Sequence, residues 1–383
     1  MTSTRTFAAA AVPLLLGLAA QAAQAGPSAP AAAASAPSLS AVLAATPNLS
    51  VGGFVEASYT HFDTLISPSN PMLRAFDVRQ NSFVLNQATL NLSYLPAQGA
   101  GASVVLRSGA DARLMRYSET WPFNMPSTPF NVANAYAQYA SGPLTVQAGK
   151  MWGLAGVESN ATMDTNISNS FLYWNLEPAT VTGLRGSYVI SPAATATVGV
   201  DNGWNFTSAV AQTSKTVELG LAGALSQSVS YSLALYRGQS PLFGGALNGD
   251  LQLVDATGTW NASQALSFQA DFAHVSKDEY LGAGTGTGKA DGLALYANYS
   301  FTPRWQLSLR GETINDKDGI VTGVNGSANH LREGTATVNF QAAPDLKLSA
   351  EVRQDRSDLA IYAKSSGSSK SQTSLELQAV YSF

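Results

Sequence analysis

Thr373-Ser-Leu-Glu-Leu-Gln-Ala-Val-Tyr-Ser-Phe383 decides the fold. Laid out as an extended strand, Leu375, Leu377, Ala379, Tyr381 and Phe383 share one side, and Ser374, Glu376, Gln378 and Ser382 the other. Alternation with period two puts one face against an apolar phase and the other against water. A single segment of this kind would also suit the edge of a soluble β-sandwich. The two readings part when the pattern returns at about ten residues, the length of a tilted membrane-crossing strand.

From Leu49 onward it returns about sixteen times, near 50–62, 82–95, 101–109, 131–140, 143–151, 178–190, 193–202, 215–225, 228–237, 250–260, 264–275, 290–301, 304–313, 333–342, 345–355 and 373–383. The connections alternate in length. Short ones carry turn residues, as in Ser141-Gly-Pro143, Ser191-Pro192, Thr302-Pro303 and Ala343-Pro-Asp345. Long ones run over 63–81, 110–130, 152–177, 203–214, 238–249, 276–289, 315–332 and 356–372. Short turns at one end and long loops at the other are the signature of an all-β, antiparallel transmembrane barrel. A sandwich has no need of that asymmetry.

Composition agrees. Only 12% of the 383 residues are charged, against roughly 25% in an average soluble protein. Yet 45% are apolar, 33 are glycine, and mean hydropathy is only +0.02. A barrel hides its apolar side chains at alternate positions, so its average hydropathy stays near zero. No cysteine is present, which removes disulfide and thiolate chemistry. A formal charge of −4 argues against a nucleic-acid partner.

Ahead of the barrel (49–383), Arg5, the apolar run from Phe7 to Ala20 and Ala23-Gln24-Ala25 read as a cleaved signal peptide over 1–25. Residues 26–48 are mostly Ala, Pro and Ser and read as a periplasmic tail.

Facing follows from the cost of a charge in lipid. An Arg on the lipid face near the midplane costs about 2–4 kcal/mol, so mid-strand charges point inward. Arg107, Arg185, Arg310 and Arg353 share parity with Ser, Gln and Thr, which predicts a polar lumen. Leu184, Leu309, Leu348 and Val352 fall on the outward side. Aromatics gather at strand ends in two girdles, with Tyr94, Tyr139, Tyr188, Trp260, Trp305 and Tyr381 near the short turns and Tyr59, Trp152 and Phe272 near the long loops.

The segments Gly52-Gly-Phe-Val-Glu-Ala-Ser-Tyr59 and Gln87-Ala-Thr-Leu-Asn-Leu-Ser-Tyr94, with the terminal Phe383, resemble the OmpL-like β-barrel porin family, also called porin-2. The resemblance covers Leu49 to Phe383. It implies a bacterial outer-membrane location, a passive water-filled channel for small hydrophilic solutes and ions, and no catalysis or cofactor. It also implies outer-membrane lipid as surroundings, and Tyr381 and Phe383 as the signal read by the barrel-assembly machinery; a homotrimer and a monomer are both compatible with the sequence. A non-conducting structural or adhesive barrel is the competing reading.

Other chemistry has weaker support. His274-Val-Ser276 matches the spacing of a lipid-facing hydrolase, but the nearest amide, Asn298, has inward parity, so no orienting partner is evident. Gly282-Ala-Gly-Thr-Gly-Thr-Gly-Lys289 lacks the Ser or Thr and the helix that a phosphate loop requires. Asn315-Asp-Lys-Asp-Gly319 lacks the bidentate Glu of a calcium loop and reads as a solvated turn. No metal site is expected.

The third long loop carries Glu158, Asp164 and Glu177 beside an apolar Phe171-Leu-Tyr-Trp174 cluster. Folded inward, it would narrow the barrel. Glu158 and Asp164 would then oppose a basic sector of Arg107, Lys150 and Arg185, and charge at that constriction would set ion preference.

Overall fold

The computed structural model describes residues 45–65, 73, 74, 76, 79–120, 128–158, 165–206, 215–239, 249–282, 284–324 and 326–383. The expected signal peptide, the tail as far as residue 44, and Asp164 lie outside the described residues.

Sixteen long strands close into one antiparallel barrel. They are β1 (Leu49–Phe62), β2 (Ser82–Tyr94), β3 (Gly99–Ser108), β4 (Phe130–Ser141), β5 (Leu144–Trp152), β6 (Thr180–Ser191), β7 (Ala194–Asp201), β8 (Thr216–Ala224), β9 (Val229–Gln239), β10 (Asp250–Asn261), β11 (Leu266–Lys277), β12 (Gly288–Thr302), β13 (Trp305–Asp316), β14 (Asn329–Ala343), β15 (Leu346–Ser357) and β18 (Ser371–Ser382). In the last long loop, β16 (Tyr362–Lys364) and β17 (Gly367–Ser369) form a separate hairpin that the alternation did not predict. The largest boundary error is at β14, which begins at Asn329 where the pattern suggested 333.

Neighbouring strands follow chain order, and the seam is β1 against β18, from Phe54↔Ser382 to Phe62↔Ser374. Beyond that register, the Phe383 N–H and C=O each bond Gly53 at 3.0 Å. Closure leaves no unpaired edge, which a barrel in lipid requires.

Outward side chains form an apolar belt. Leu184, Val198, Leu219, Leu233, Leu295, Leu309, Val352 and Leu377 are all exposed. On β15, Leu348, Ala350 and Val352 are exposed while Ser349, Glu351, Arg353 and Asp355 are buried, as the alternation requires. Tyr139, Tyr188, Trp260 and Trp305 are exposed near the short turns. Trp305 stacks on Phe340 with ring centroids 4.4 Å apart.

The inner wall departs from expectation. On β9–β14, Tyr236, Leu251, Leu253, Val275, Ile314 and Leu331 point inward and are buried in one apolar cluster. The lumen is therefore not polar throughout. What covers this patch is the third long loop. Its short helix, α2 (Phe171–Asn175), and the Leu176 that follows place Phe171, Leu172 and Leu176 in the same cluster, each fully buried. An apolar loop segment and an apolar wall patch remove each other from water, which is the reason the loop folds inward. The second long loop starts with another unpredicted helix, α1 (Ala110–Thr120), packed over β2, β3 and β4 with Ala112 and Met115 buried.

Candidate functional site

The third loop is tied to the wall along its described length. Leaving β5, Leu154 N–H donates to the Tyr236 hydroxyl at 2.7 Å, Gly156 N–H to Asp255 at 3.1 Å, and Val157 N–H to Asp271 at 2.9 Å. Further on, Ile167 and Ser168 N–H donate to Glu351 at 2.6 and 3.0 Å. Asn166 donates to Thr337, and Asn339 donates to the Thr165 carbonyl. At the start of α2, Phe171 and Leu172 N–H donate to Glu312 at 2.7 and 2.6 Å, and Ser170 Oγ caps Tyr173 N–H. Those amides have no partner within the helix, so wall carboxylates take the place of water.

Two arginines clamp this segment. Arg310 lies 2.6 Å from Glu333 on the wall and 2.8 Å from Glu158 on the loop, and donates to the Ser168 carbonyl. Arg353 bonds Asp355 at 2.6 Å, donates to the Asn169 carbonyl, and sits 4.6 Å over the Phe171 ring. Glu312 and Glu333 stand directly opposite on paired strands. Like charges so placed repel; here Arg310 and the loop amides compensate them.

These contacts correct the expected constriction. Glu158 does not confront Arg107, Lys150 and Arg185; it pairs with Arg310 and accepts from the Tyr296 hydroxyl, on the other side of the barrel. Arg185 is held by Glu218 through two hydrogen bonds, of 2.6 and 2.9 Å. Arg107 is buried beside Asp111 of α1. Burial and the nearby Glu56 push the Asp111 carboxyl up, against the pull of Arg107. Lys150 is buried. It is paired with Ala135 and Thr182, on the outward parity of Ala148 and Leu184, and its ammonium donates to the Val132 carbonyl. Arg310 and Arg353 do point inward, but the loop covers them.

On β3–β7 the half-exposed inward groups are neutral, among them Ser103, Tyr136, Gln138, Gln147, Ser187 and Thr197, as is Gln269 on β11; Lys347, on the inward parity of β15, is a half-exposed charge. Beside the loop lies a cavity of about 190 Å³ lined by Val157, Glu158, Thr165, Asn166, Ser168, Asn169, Gln269 and Tyr296. Parity alone had assigned the wall charges to the lumen. It could not reveal which of them the loops would cover.

On the outside, His274 does have an orienting carboxylate, contrary to expectation. Asp291, directly opposite on β12, lies 2.5 Å from His274 Nδ1. Asp291 is also paired with Lys317 at 2.5 Å, and among the described residues the Ser276 hydroxyl makes no bond to the imidazole. In the Asn315–Gly319 turn, Asp316 is buried rather than solvated and accepts from Val321 and Thr322.

A family model described as "Putative beta-barrel porin-2, OmpL-like" matches residues 48–383. The chain belongs to this porin family. Solved barrels share the porin's fold at low identity. The outer-membrane channel DcaP of Acinetobacter baumannii is 14% identical with a TM-score of 0.60, covering 88% of this chain and 97% of its own. The anion-selective porin of Comamonas acidovorans is 11% identical at TM-score 0.60, covering 88% and 99%. The trimer form of OmpT of Vibrio cholerae is 11% identical at TM-score 0.57, covering 88% and 99%. No curated protein matches this porin by sequence. Family and fold place it in the bacterial outer membrane.

Proposed function

We propose that this porin conducts small hydrophilic solutes and ions passively, through the space between the third loop and the opposite wall of β2–β7. The observation that carries this reading is the chemistry of the accessible wall. The inward groups that reach water there, among them Ser103, Gln138, Gln147, Ser187 and Thr197, are uncharged donors and acceptors. Such groups replace part of a solute's hydration without selecting strongly by charge. Weak ion preference is therefore the expected outcome, and the paired arginines and carboxylates act as structural ties. Single-channel recording in a planar bilayer, with reversal potential in a salt gradient, tests it. Discrete conductance with a reversal potential close to zero supports the proposal. An inserted barrel that never conducts would make it a structural or adhesive barrel instead.

No chemical step belongs to this reading. At the lipid-facing His274, Asp291 is shared with Lys317 and Ser276 is not engaged, so no nucleophile is activated. A homotrimer is part of the proposal, supported by the trimer form of OmpT; an unboiled gel and native mass measurement test it. Outer-membrane lipid and the barrel-assembly machinery are the remaining partners.

A further inference from the structure

We infer that Glu177, Asp255 and Asp271 form a binding site for a hard divalent cation of calcium's size, which fastens the start of the third loop to the wall. Oxygens from the three carboxylates lie within 4.8 Å of one another, and all three residues are buried. Oxygens that close can bind one calcium ion together, since two ligands on opposite sides of it stand about 4.6–5.2 Å apart. The donor set is all oxygen, with neither His nor Cys, which suits calcium and not a softer metal.

Proximity alone would not make a site. The second observation is what each carboxylate does with its two oxygens. Asp255 Oδ1 accepts from Gly156 N–H, and Asp271 Oδ2 from Val157 N–H. Their other oxygens, Asp255 Oδ2 and Asp271 Oδ1, are buried and, like Glu177 Oε1, accept from no N–H or alcohol donor among the described residues; the two aspartate carboxyls are close enough to share a proton. Glu177 rests on the same turn of the loop. Gly156 has φ +84°, and a Cβ there would stand 2.0 Å from Glu177 Oε2. The turn thus bonds two of the carboxylates through its amides and packs against the third at Gly156, and each of the three has a buried oxygen with no N–H or alcohol donor. Contrast the other carboxylates nearby: Glu312 of the wall accepts two loop amides, and Glu158 of the loop and Glu333 of the wall are paired with Arg310. Glu177, Asp255 and Asp271 have no such ion pair among the described residues. Buried charge without a counter-ion is too costly to persist, so the three carboxyls either hold protons or share a cation. A cation supplies the missing charge and satisfies the open oxygens together.

The test uses the full-length porin folded in detergent, stripped with EGTA and titrated with Ca²⁺ by calorimetry. It does not depend on whether the barrel conducts. One ion per chain is expected, with proton release that grows as the pH is lowered, because the ligands must be deprotonated. Asp271→Asn and, separately, Glu177→Gln should each weaken Ca²⁺ binding roughly tenfold or more. Asp358→Asn, an exposed carboxylate of the last long loop, should leave it unchanged. Should Asp271→Asn fail to fold, Glu177→Gln and the effect of EGTA on the melting temperature of the unaltered porin decide the matter. Absence of a Ca²⁺ heat, or Ca²⁺ affinity unchanged in Glu177→Gln, overturns the site. So does an Asp255→Asn porin that is more stable and equally indifferent to EGTA, since a shared proton would then hold the cluster.

Discussion

Arg310 of the barrel wall and Glu158 of the third loop form a buried ion pair, Nη1 to Oε1, of 2.8 Å. The same guanidinium holds Glu333 at 2.6 Å, so one cation serves a loop anion and a wall anion. Removing it strands two carboxylates away from water. Breaking a buried pair from one side costs about 3–5 kcal/mol. Arg310→Ala should lower thermal stability and free the loop, giving larger and noisier single-channel currents. Currents identical to the parent's would mean the loop is held without this pair.

Packing fixes the loop as well. A Cβ on Gly292 would stand 2.7 Å from Leu172 Cδ1 and 2.9 Å from Leu176 Cδ1. Gly292→Val puts a branched side chain where α2 docks, and overpacking costs about 1–3 kcal/mol. The barrel should still form, with the loop displaced and conductance raised. A crystal structure of the variant with α2 in place would show that the wall yields instead.

The Arg185–Glu218 pair separates structural from selective charge. Both side chains are buried, and two hydrogen bonds join them. Arg185→Ala should destabilise by about 3–5 kcal/mol, while Arg185→Ala with Glu218→Ala should recover much of that loss. Reversal potential should hardly move in the double variant. A large shift would assign Arg185 to the conducting surface after all.

Facing can be read on two neighbouring strands. Leu184 is exposed on the outer face of β6, and Gln147 is half-exposed on the inner face of β5. Leu184→Arg should impair insertion by about 2–4 kcal/mol. Gln147→Arg should insert normally and favour anions. Equal yields of both in the outer membrane would contradict the register.

The end of the chain closes the barrel through backbone bonds between Phe383 and Gly53. Deleting Phe383 removes them together with an aromatic of the periplasmic girdle. A heat-modifiable folded band much weaker than the parent's is expected on an unboiled gel; a band of equal strength would exclude an assembly role for this residue.

Most of the barrel was legible in the residues. Alternation along β15 and β18 named the inward and outward sides correctly, because lipid on one side enforces period two wherever a strand crosses. Turn residues placed the short connections, because Pro and Gly act within a few bonds. The same local logic failed where a second layer covers the wall. Leu251 and Leu253 share parity with Asp255, so polarity along β10 gave no clean answer. Lys150 shows the same limit: its register gives it the parity of Ala148 and Leu184, yet its side chain is buried and its ammonium bonds the Val132 carbonyl.

Sequence by itself determined the closed sheet and its strand number, since both follow from periodicity and chain length. Tertiary structure alone decided which inward charges reach water. Arg107, Arg185, Arg310 and Arg353 look equivalent along the chain, yet each is buried beside a particular carboxylate. For the last two, that burial depends on where residues 165–176 pack against the inner wall. Contacts such as Glu158 with Arg310, 152 positions apart, are set by that packing. No local periodicity encodes it, because an apolar wall patch and an apolar helix recognise each other only once the barrel has brought them face to face.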